Sequence, residues 1–259
     1  MWYNQKKIPE DGGGNAMRGK FTIKNTIIYI LGLTFLGINV AFIQKTNLGM
    51  SSWDALNRNF YEGIPIEYKY LTPIFALVII SIAYLIQLKK PDLWMLFPVL
   101  ISFYIGFVID LLLLVIPSVV DENLFWNLMY LFIAIIICAV GINFLLYSKY
   151  PLPALDELCY GMHKLFRVSF GKAKIIGEFI ALILTIFAGL YFHHQSEWFY
   201  IGPTTVIYGL GIGFVIDWLK KPVGHFLEAL DGNRNIHRQP DKEGCKEQSE
   251  ENLSTPDND

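Results

Sequence analysis

The sequence predicts an all-α polytopic membrane protein: six transmembrane helices, arranged as two inverted three-helix repeats, each with a short amphipathic or re-entrant helix. Three observations predict it: the composition, six apolar runs of spanning length, and a set of words that recur in order. Of 259 residues, 53% are apolar and 17% charged, with a mean hydropathy of +0.39. A soluble domain carries about 25% charged residues. Here the 21 Lys and Arg and the 23 Asp and Glu gather at the two ends and in loops. That pattern excludes a disordered chain and argues against a soluble enzyme. The net charge of −2 offers no case for nucleic acid as a partner.

Residues 1–21 read as a polar cytoplasmic tail without a cleavable secretory signal, and Met17 offers an alternative start. A helix needs roughly 20 mostly apolar residues to cross the hydrocarbon core. Runs at 26–43, 70–88, 93–116, 124–147, 175–193 and 199–219 meet that need. Backbone polar groups in lipid must be satisfied within the segment, so these runs read as helices. The first repeat is placed at 22–118 and the second at 119–223. From 224 to 259 the chain reads as a polar, disordered cytoplasmic tail with no apolar period.

Basic residues orient the spans. Three of the 21 Lys and Arg, namely Lys45, Arg58 and Lys69, fall in the loop after the first span. All the others fall on the opposite side, in the termini and the loops after spans two and four. The positive-inside rule therefore puts both termini in the cytoplasm. Trp94, Trp126 and Trp198 sit at segment ends, where an interfacial aromatic belt is expected.

The halves share words at nearly one offset. Gly37-Ile38-Asn39 matches Gly141-Ile142-Asn143, and Trp53-Asp54-Ala55-Leu56 matches Leu155-Asp156-Glu157-Leu158. Lys69 stands seven residues before Ala76 as Lys174 stands before Ala181, and Gly106-Phe-Val-Ile-Asp110 recurs as Gly213-Phe-Val-Ile-Asp217. Three spans per repeat is an odd number, so the second copy enters from the opposite side, as in many secondary transporters.

The long loops after spans one and four each carry a turn signal and then an amphipathic stretch, at 51–61 and 153–166. Asp54 and Asp156 lie near the starts of these stretches. They read either as acids suited to a helix N-terminus or as polar groups of re-entrant helices lining a cavity. Asp110 and Asp217 are acids within spans, which are functional candidates by default. Both lie in the last turns of their helices, where a bond to a neighbouring loop or helix terminus is the plainer reading. Asn39 and Asn143 are the most central polar residues and serve either helix–helix hydrogen bonding or a solute. The candidate solute-binding set is therefore Asn39, Trp53, Asp54, Asp110, Asn143, Asp156 and Asp217. Glu178 is placed near an interface, paired with Lys174 one turn away. Ser102 and Gly106 match Gly209 and Gly213 in a small-xxx-small pattern, which suggests that spans three and six pack on each other.

Cys138, Cys159 and Cys245 show no metal or disulfide spacing. The five histidines form no ligand array, no serine or cysteine has a nucleophile context, and no Gly-rich phosphate loop follows a strand. No catalytic set, cofactor or metal is expected. The reading is a small-solute transporter or permease with its pathway between the repeats, its solute cationic or proton-coupled, with homo-oligomerisation open. The alternative is a non-transporting accessory protein that docks a partner through its basic loop and tail.

The stretch Leu48-Gly49-Met50-Ser51-Ser52-Trp53-Asp54-Ala55-Leu56, with Gly37 and Ala41 before it, resembles a motif of the bacterial YczE/YyaS/YitT group of integral membrane proteins, closest to its YczE-like branch. So do Pro151-Leu152-Pro153-Ala154-Leu155-Asp156-Glu157-Leu158 and the Ile201-Gly202-Pro203-Thr204-Thr205 stretch with Gly209 and Gly213. The resemblance runs over about residues 20 to 223. Ser52 stands where that group usually has proline, Pro151 where it has glycine, and Ala154 where it has proline. The resemblance implies a bacterial plasma-membrane location and no settled biochemical activity.

Overall fold

A computed structural model describes residues 22–64, 68–88, 93–120, 123–192 and 200–230. The expectations for residues 1–21 and 231–259, for Trp198 and for the side chains of Trp94 and Lys69 lie outside the described residues. Within them the chain is helical throughout: α1 (Ile23–Gln44), α2 (Ser52–Gly63), α3 (Tyr68–Ile86), α4 (Phe97–Val115), α5 (Leu124–Ser148), α6 (Ala154–Phe166), α7 (Phe170–Phe192) and α8 (Pro203–Leu230). A 3₁₀ turn, Leu93–Leu96, leads into α4. No strand occurs among the described residues.

Among these helices α1, α4, α5 and α7 are long and apolar enough to cross a membrane. On them the chain reads as a membrane protein. The described apolar stretch of α3 is Pro73–Ile86. Helix α8 carries Asp217, Lys220 and Lys221 along its length. Large apolar side chains cover the outside of the helices, among them Phe103, Phe107 and Leu114 on α4, Phe187 and Tyr191 on α7, and Phe214 on α8. In α4 only 11% of the apolar window is buried by protein. A face of this size on a soluble protein would be a liability; facing lipid it is the expected surface.

Two elements differ from the sequence reading at their ends. Helix α7 begins at Phe170 and takes in Lys174, which had been counted with the loop cations. The Lys174 charge is neutralised inside the protein, so it does not end the helix. Helix α8 continues past Leu219 through Lys220 and Lys221 to Leu230, so residues 224–230, expected in the disordered tail, are helical. A second compact unit begins at Gly224; its described part is the last stretch of α8, 224–230.

The first unit, to Val223, is organised by a few close crossings. Helix α1 lies against α5 and α4, α2 against α7, α3 against α6, and α6 against α7. Helices α1 and α5 cross at glycines. A Cβ on Gly32 would sit 3.0 Å from the Gly141 carbonyl oxygen, and one on Gly141 would sit 2.9 Å from that of Gly32. Helix α8 meets α7 in the same way, where a Cβ on Gly213 would strike the Gly171 carbonyl oxygen. The expected meeting of spans three and six through Ser102, Gly106, Gly209 and Gly213 is therefore replaced. Gly209 and Gly213 serve the contact with α7, Ser102 bonds back to the Pro98 carbonyl of its own helix, and a Cβ on Gly106 would meet nothing within 4 Å.

Loops are tied down by backbone and amide hydrogen bonds. The Leu48-Gly49-Met50 turn docks on the start of α8: Thr204 N–H donates to the Leu48 carbonyl at 2.9 Å and Thr205 Oγ1 to that of Met50 at 2.7 Å. Gly49 has φ +90°, and a Cβ there would lie 2.7 Å from Gly202 N, so both the conformation and the close approach require glycine. On the other side Tyr29 Oη donates to the Pro151 carbonyl at 2.6 Å, which fixes the lead into α6.

Candidate functional site

Helices α2 and α6 are too short to span. Ser51 begins α2, accepting a hydrogen bond from Asp54 N–H at 3.3 Å and donating to Asp54 Oδ2 at 2.7 Å. Thr185 of α7 donates to the Ser52 carbonyl at 2.9 Å and anchors the same end. Helix α6 starts after Pro153 with no side-chain cap and has Asp156 and Glu157 in its first turn. The opening turns of α2 and α6 both reach one cavity of about 450 Å³. Its apolar wall includes Leu36 and Val40 of α1, Phe75 and Ile79 of α3, and Ile105 and Ile109 of α4. Its polar lining includes Asn39, Trp53, Asp54, Arg58, Asp110, Asp156, Lys174, Glu178 and Tyr208.

Five of the seven expected site residues therefore share this cavity: Asn39, Trp53, Asp54, Asp110 and Asp156. The other two have structural partners elsewhere. Asn143 Nδ2 donates to the Ala139 carbonyl at 2.8 Å and to the Ile216 carbonyl of α8 at 3.1 Å, tying α5 to α8. Asp217 accepts from Ser169 Oγ at 2.5 Å and Gly171 N–H at 3.1 Å, so it satisfies the start of α7. An acid at a helix N-terminus is stabilised by the unpaired N–H groups and the dipole there.

Lys174 and Glu178 change the reading most. The Lys174 ammonium pairs with Asp156 Oδ1 at 2.7 Å, both side chains being buried. Glu178, expected at an interface, is 3% exposed. Its carboxyl takes a hydrogen bond from Ser52, while its Oε2 has no hydrogen-bond partner among the described residues. Asn39 Nδ2 donates to Tyr208 Oη at 3.2 Å, and Tyr208 Oη donates to Cys138 Sγ at 3.1 Å. Asn39 Oδ1 and Trp53 Nε1 are buried and, among the described residues, without partners. Buried polar atoms of this kind are uncommon and call for an explanation.

Among the described residues lining the cavity, Lys174 is engaged by Asp156 and Arg58 by Glu62, at 2.8 Å. Arg58 also lies over the Tyr61 and Tyr200 rings. Burial holds the Asp54 carboxyl above its usual range, against the Ser51 hydrogen bond and the Lys174 charge, which pull it down. Among the described residues no three His, Cys, Asp or Glu are grouped to hold a metal ion.

Residues 23–221 match the model of a family of unknown function, DUF6198. The chain belongs to this family. No curated protein and no solved structure matches it. The DUF6198 match covers every helix that lines the cavity, from the start of α1 through the part of α8 that holds Tyr208.

Proposed function

We propose that this protein is a small-solute transporter whose pathway runs through the cavity between two inverted repeats, α1–α4 and α5–α8. The observation that carries the reading is the convergence of α2 and α6, one short helix from each half, on a single cavity whose buried polar atoms are incompletely paired. Non-spanning helices at membrane depth are tolerated where they line a cavity, and transporter sites are commonly built from them.

The packing pattern supports the repeat. With α1 to α4 matched in order to α5 to α8, the α2–α7 contact becomes the α6–α3 contact, and α1–α5 maps onto itself. Two-fold exchange requires this relation. On this reading α1, α3, α4, α5, α7 and α8 all span. The basic residues put both termini in the cytoplasm, and the YczE-like resemblance suggests a bacterial plasma membrane. Alternating access then comes from one repeat rocking against the other.

The test is flux. The full chain is reconstituted into lipid vesicles and challenged with panels of amines, amino acids, sugars and organic anions. Protein-dependent uptake of at least one class is expected, with loss of that uptake in Gly106→Phe, which puts a ring into the cavity. Absence of uptake for every class, or undiminished uptake in Gly106→Phe, would remove the reading.

A further inference from the structure

The turn between α6 and α7 gathers positive charge beside exposed apolar side chains. Helix α6 ends with Lys164, Leu165 and Phe166, and Arg167 follows in a left-handed conformation at φ 53°. All four side chains are exposed. The turn itself is held in place. His163 Nδ1–H donates to the Val168 carbonyl, and Ser169 Oγ accepts from the N–H of Lys172, whose side chain is also exposed. Helix α8 joins the same corner through Asp217, which accepts from Ser169 Oγ and Gly171 N–H. Within the next turn α8 carries Trp218, Lys220 and Lys221, all exposed.

These charges differ from those deeper in the protein. Lys174 and Arg58 each pair with an acid. Lys164, Arg167, Lys172, Lys220 and Lys221 have no carboxylate at ion-pair distance among the described residues. The chain has no acid between Glu157 and Glu178, and Asp217 is taken up by the start of α7. The complement of this surface is an anion.

Depth and wall chemistry say which anion. Helix α7 has 23 residues, about 35 Å at 1.5 Å per residue, which slightly exceeds a hydrocarbon core of about 30 Å. The end of such a span lies at the level of the lipid headgroups. Aromatic rings and the stems of Lys and Arg settle there, with the charges turned toward the phosphates. A soluble anion would answer the charges and leave Leu165, Phe166 and Trp218 in water. A phospholipid answers both, with phosphate for the cations and acyl chains for the apolar side chains.

We propose that the α6–α7 turn and the adjoining turn of α8 form a binding surface for an anionic phospholipid. Its headgroup lies among Lys164, Arg167, Lys172 and the Lys220-Lys221 pair, and its acyl chains lie against Leu165, Phe166 and Trp218. The proposal stands apart from the transporter reading, since it uses none of the cavity.

Lipid binding to the purified full chain in a neutral detergent tests it, by native mass spectrometry and by the shift in melting temperature. The lipids are dioleoyl phosphatidylglycerol and dioleoyl phosphatidylcholine, which share acyl chains and differ in charge. Phosphatidylglycerol is expected to bind at least 10-fold more tightly and to raise the melting temperature more. Lys164→Gln, Arg167→Gln and Lys172→Gln together are expected to weaken it about 10- to 100-fold, as basic residues near an anionic lipid surface each add to binding. Phosphatidylcholine binding should stay as it was. Lys45→Gln, at the C-terminal end of α1 and outside this surface, should change neither. Equal affinity for the two lipids, or unchanged phosphatidylglycerol affinity in the folded triple variant, would overturn the proposal. Displacement of the lipid by equimolar glycerol 3-phosphate or by an oligo-glutamate peptide would overturn it too, and assign the surface to a soluble anion or an acidic partner. If the triple variant does not fold, Lys220→Gln with Lys221→Gln decides, with a loss of phosphatidylglycerol affinity expected and unchanged affinity refuting the surface.

Discussion

Gly106 and Gly213 occupy equivalent places in the recurring Gly-Phe-Val-Ile-Asp word, yet alanine is expected to act in opposite directions at the two. In a helix interior glycine is about 0.8–1 kcal/mol less favourable than alanine. At Gly106 a Cβ meets no atom within 4 Å, so the whole gain of about 1 kcal/mol should appear. At Gly213 the Cβ would run into the Gly171 carbonyl oxygen and approach Ile175 Cγ1 to 2.5 Å. Backbone stands against backbone there, and neither can turn aside. Overpacking of this kind costs about 1–3 kcal/mol, which exceeds the propensity gain or at best cancels it. Intrinsic tryptophan fluorescence of the detergent-solubilised protein during heating reads both. Taking about 2–4 °C per kcal/mol for a chain of roughly this size, Gly106→Ala should melt 2–4 °C higher and Gly213→Ala lower. A loss above about 1 kcal/mol in Gly106→Ala would mean that atoms fill the space assigned to the cavity. A rise in Gly213→Ala would refute the close α7–α8 crossing.

Other perturbations follow from single contacts. Lys174→Met leaves the Asp156 carboxylate buried without its partner and should cost about 3–5 kcal/mol, whereas Lys174→Met with Asp156→Leu should recover most of it; a double-mutant cycle on melting measures the coupling. Asn127→Ala removes donors to the Val119 carbonyl at 2.8 Å and the Asn123 carbonyl at 3.3 Å, and the acceptor for Asn47 N–H at 3.0 Å; with the Asn47 donor unsatisfied, a loss of about 2–3 kcal/mol is expected in the same assay. Asp54 has its folded-state pKa raised from an ordinary 3.8. Its contribution is therefore full below that value and declines as pH rises through the folded pKa. Asp54→Asn should flatten this dependence, and melting of both proteins across pH 4 to 8 checks it.

Much of the helical framework was legible because hydropathy over about 20 residues needs no tertiary information. The short helices were legible through their amphipathic pattern and turn signals: 51–61 became Ser52–Gly63 and 153–166 became Ala154–Phe166. The site was legible where a polar residue stood out against an apolar run, as Asn39 and Asp110 do. It was hidden where charges cancel in space. Lys174 looked like a loop cation because its partner, Asp156, lies 18 residues earlier on another helix, and no local pattern marks such a pair. Glu178 looked interfacial for the same reason, since its burial depends on how α7 meets α2. Tyr208 sits among glycines in a segment with no period to single it out. Asn143 and Asp217 stood out as strongly as Asn39 did. Whether such a residue bonds to a neighbouring carbonyl or faces a cavity is set by the crossing of α5 with α8 and by the start of α7, which the sequence does not show.

The proposed transport pathway, lined by α2 and α6, would open to both sides of the membrane. Asn57 and Leu155 both line the cavity, one on each short helix. Each is replaced singly by cysteine in a protein lacking Cys138, Cys159 and Cys245, and a membrane-impermeant thiol reagent is applied to right-side-out and inverted vesicles. Labelling of both positions from both faces is the outcome a shared pathway predicts. Labelling of Asn57 from one face only and of Leu155 from the other only would contradict it and make α2 and α6 surface helices.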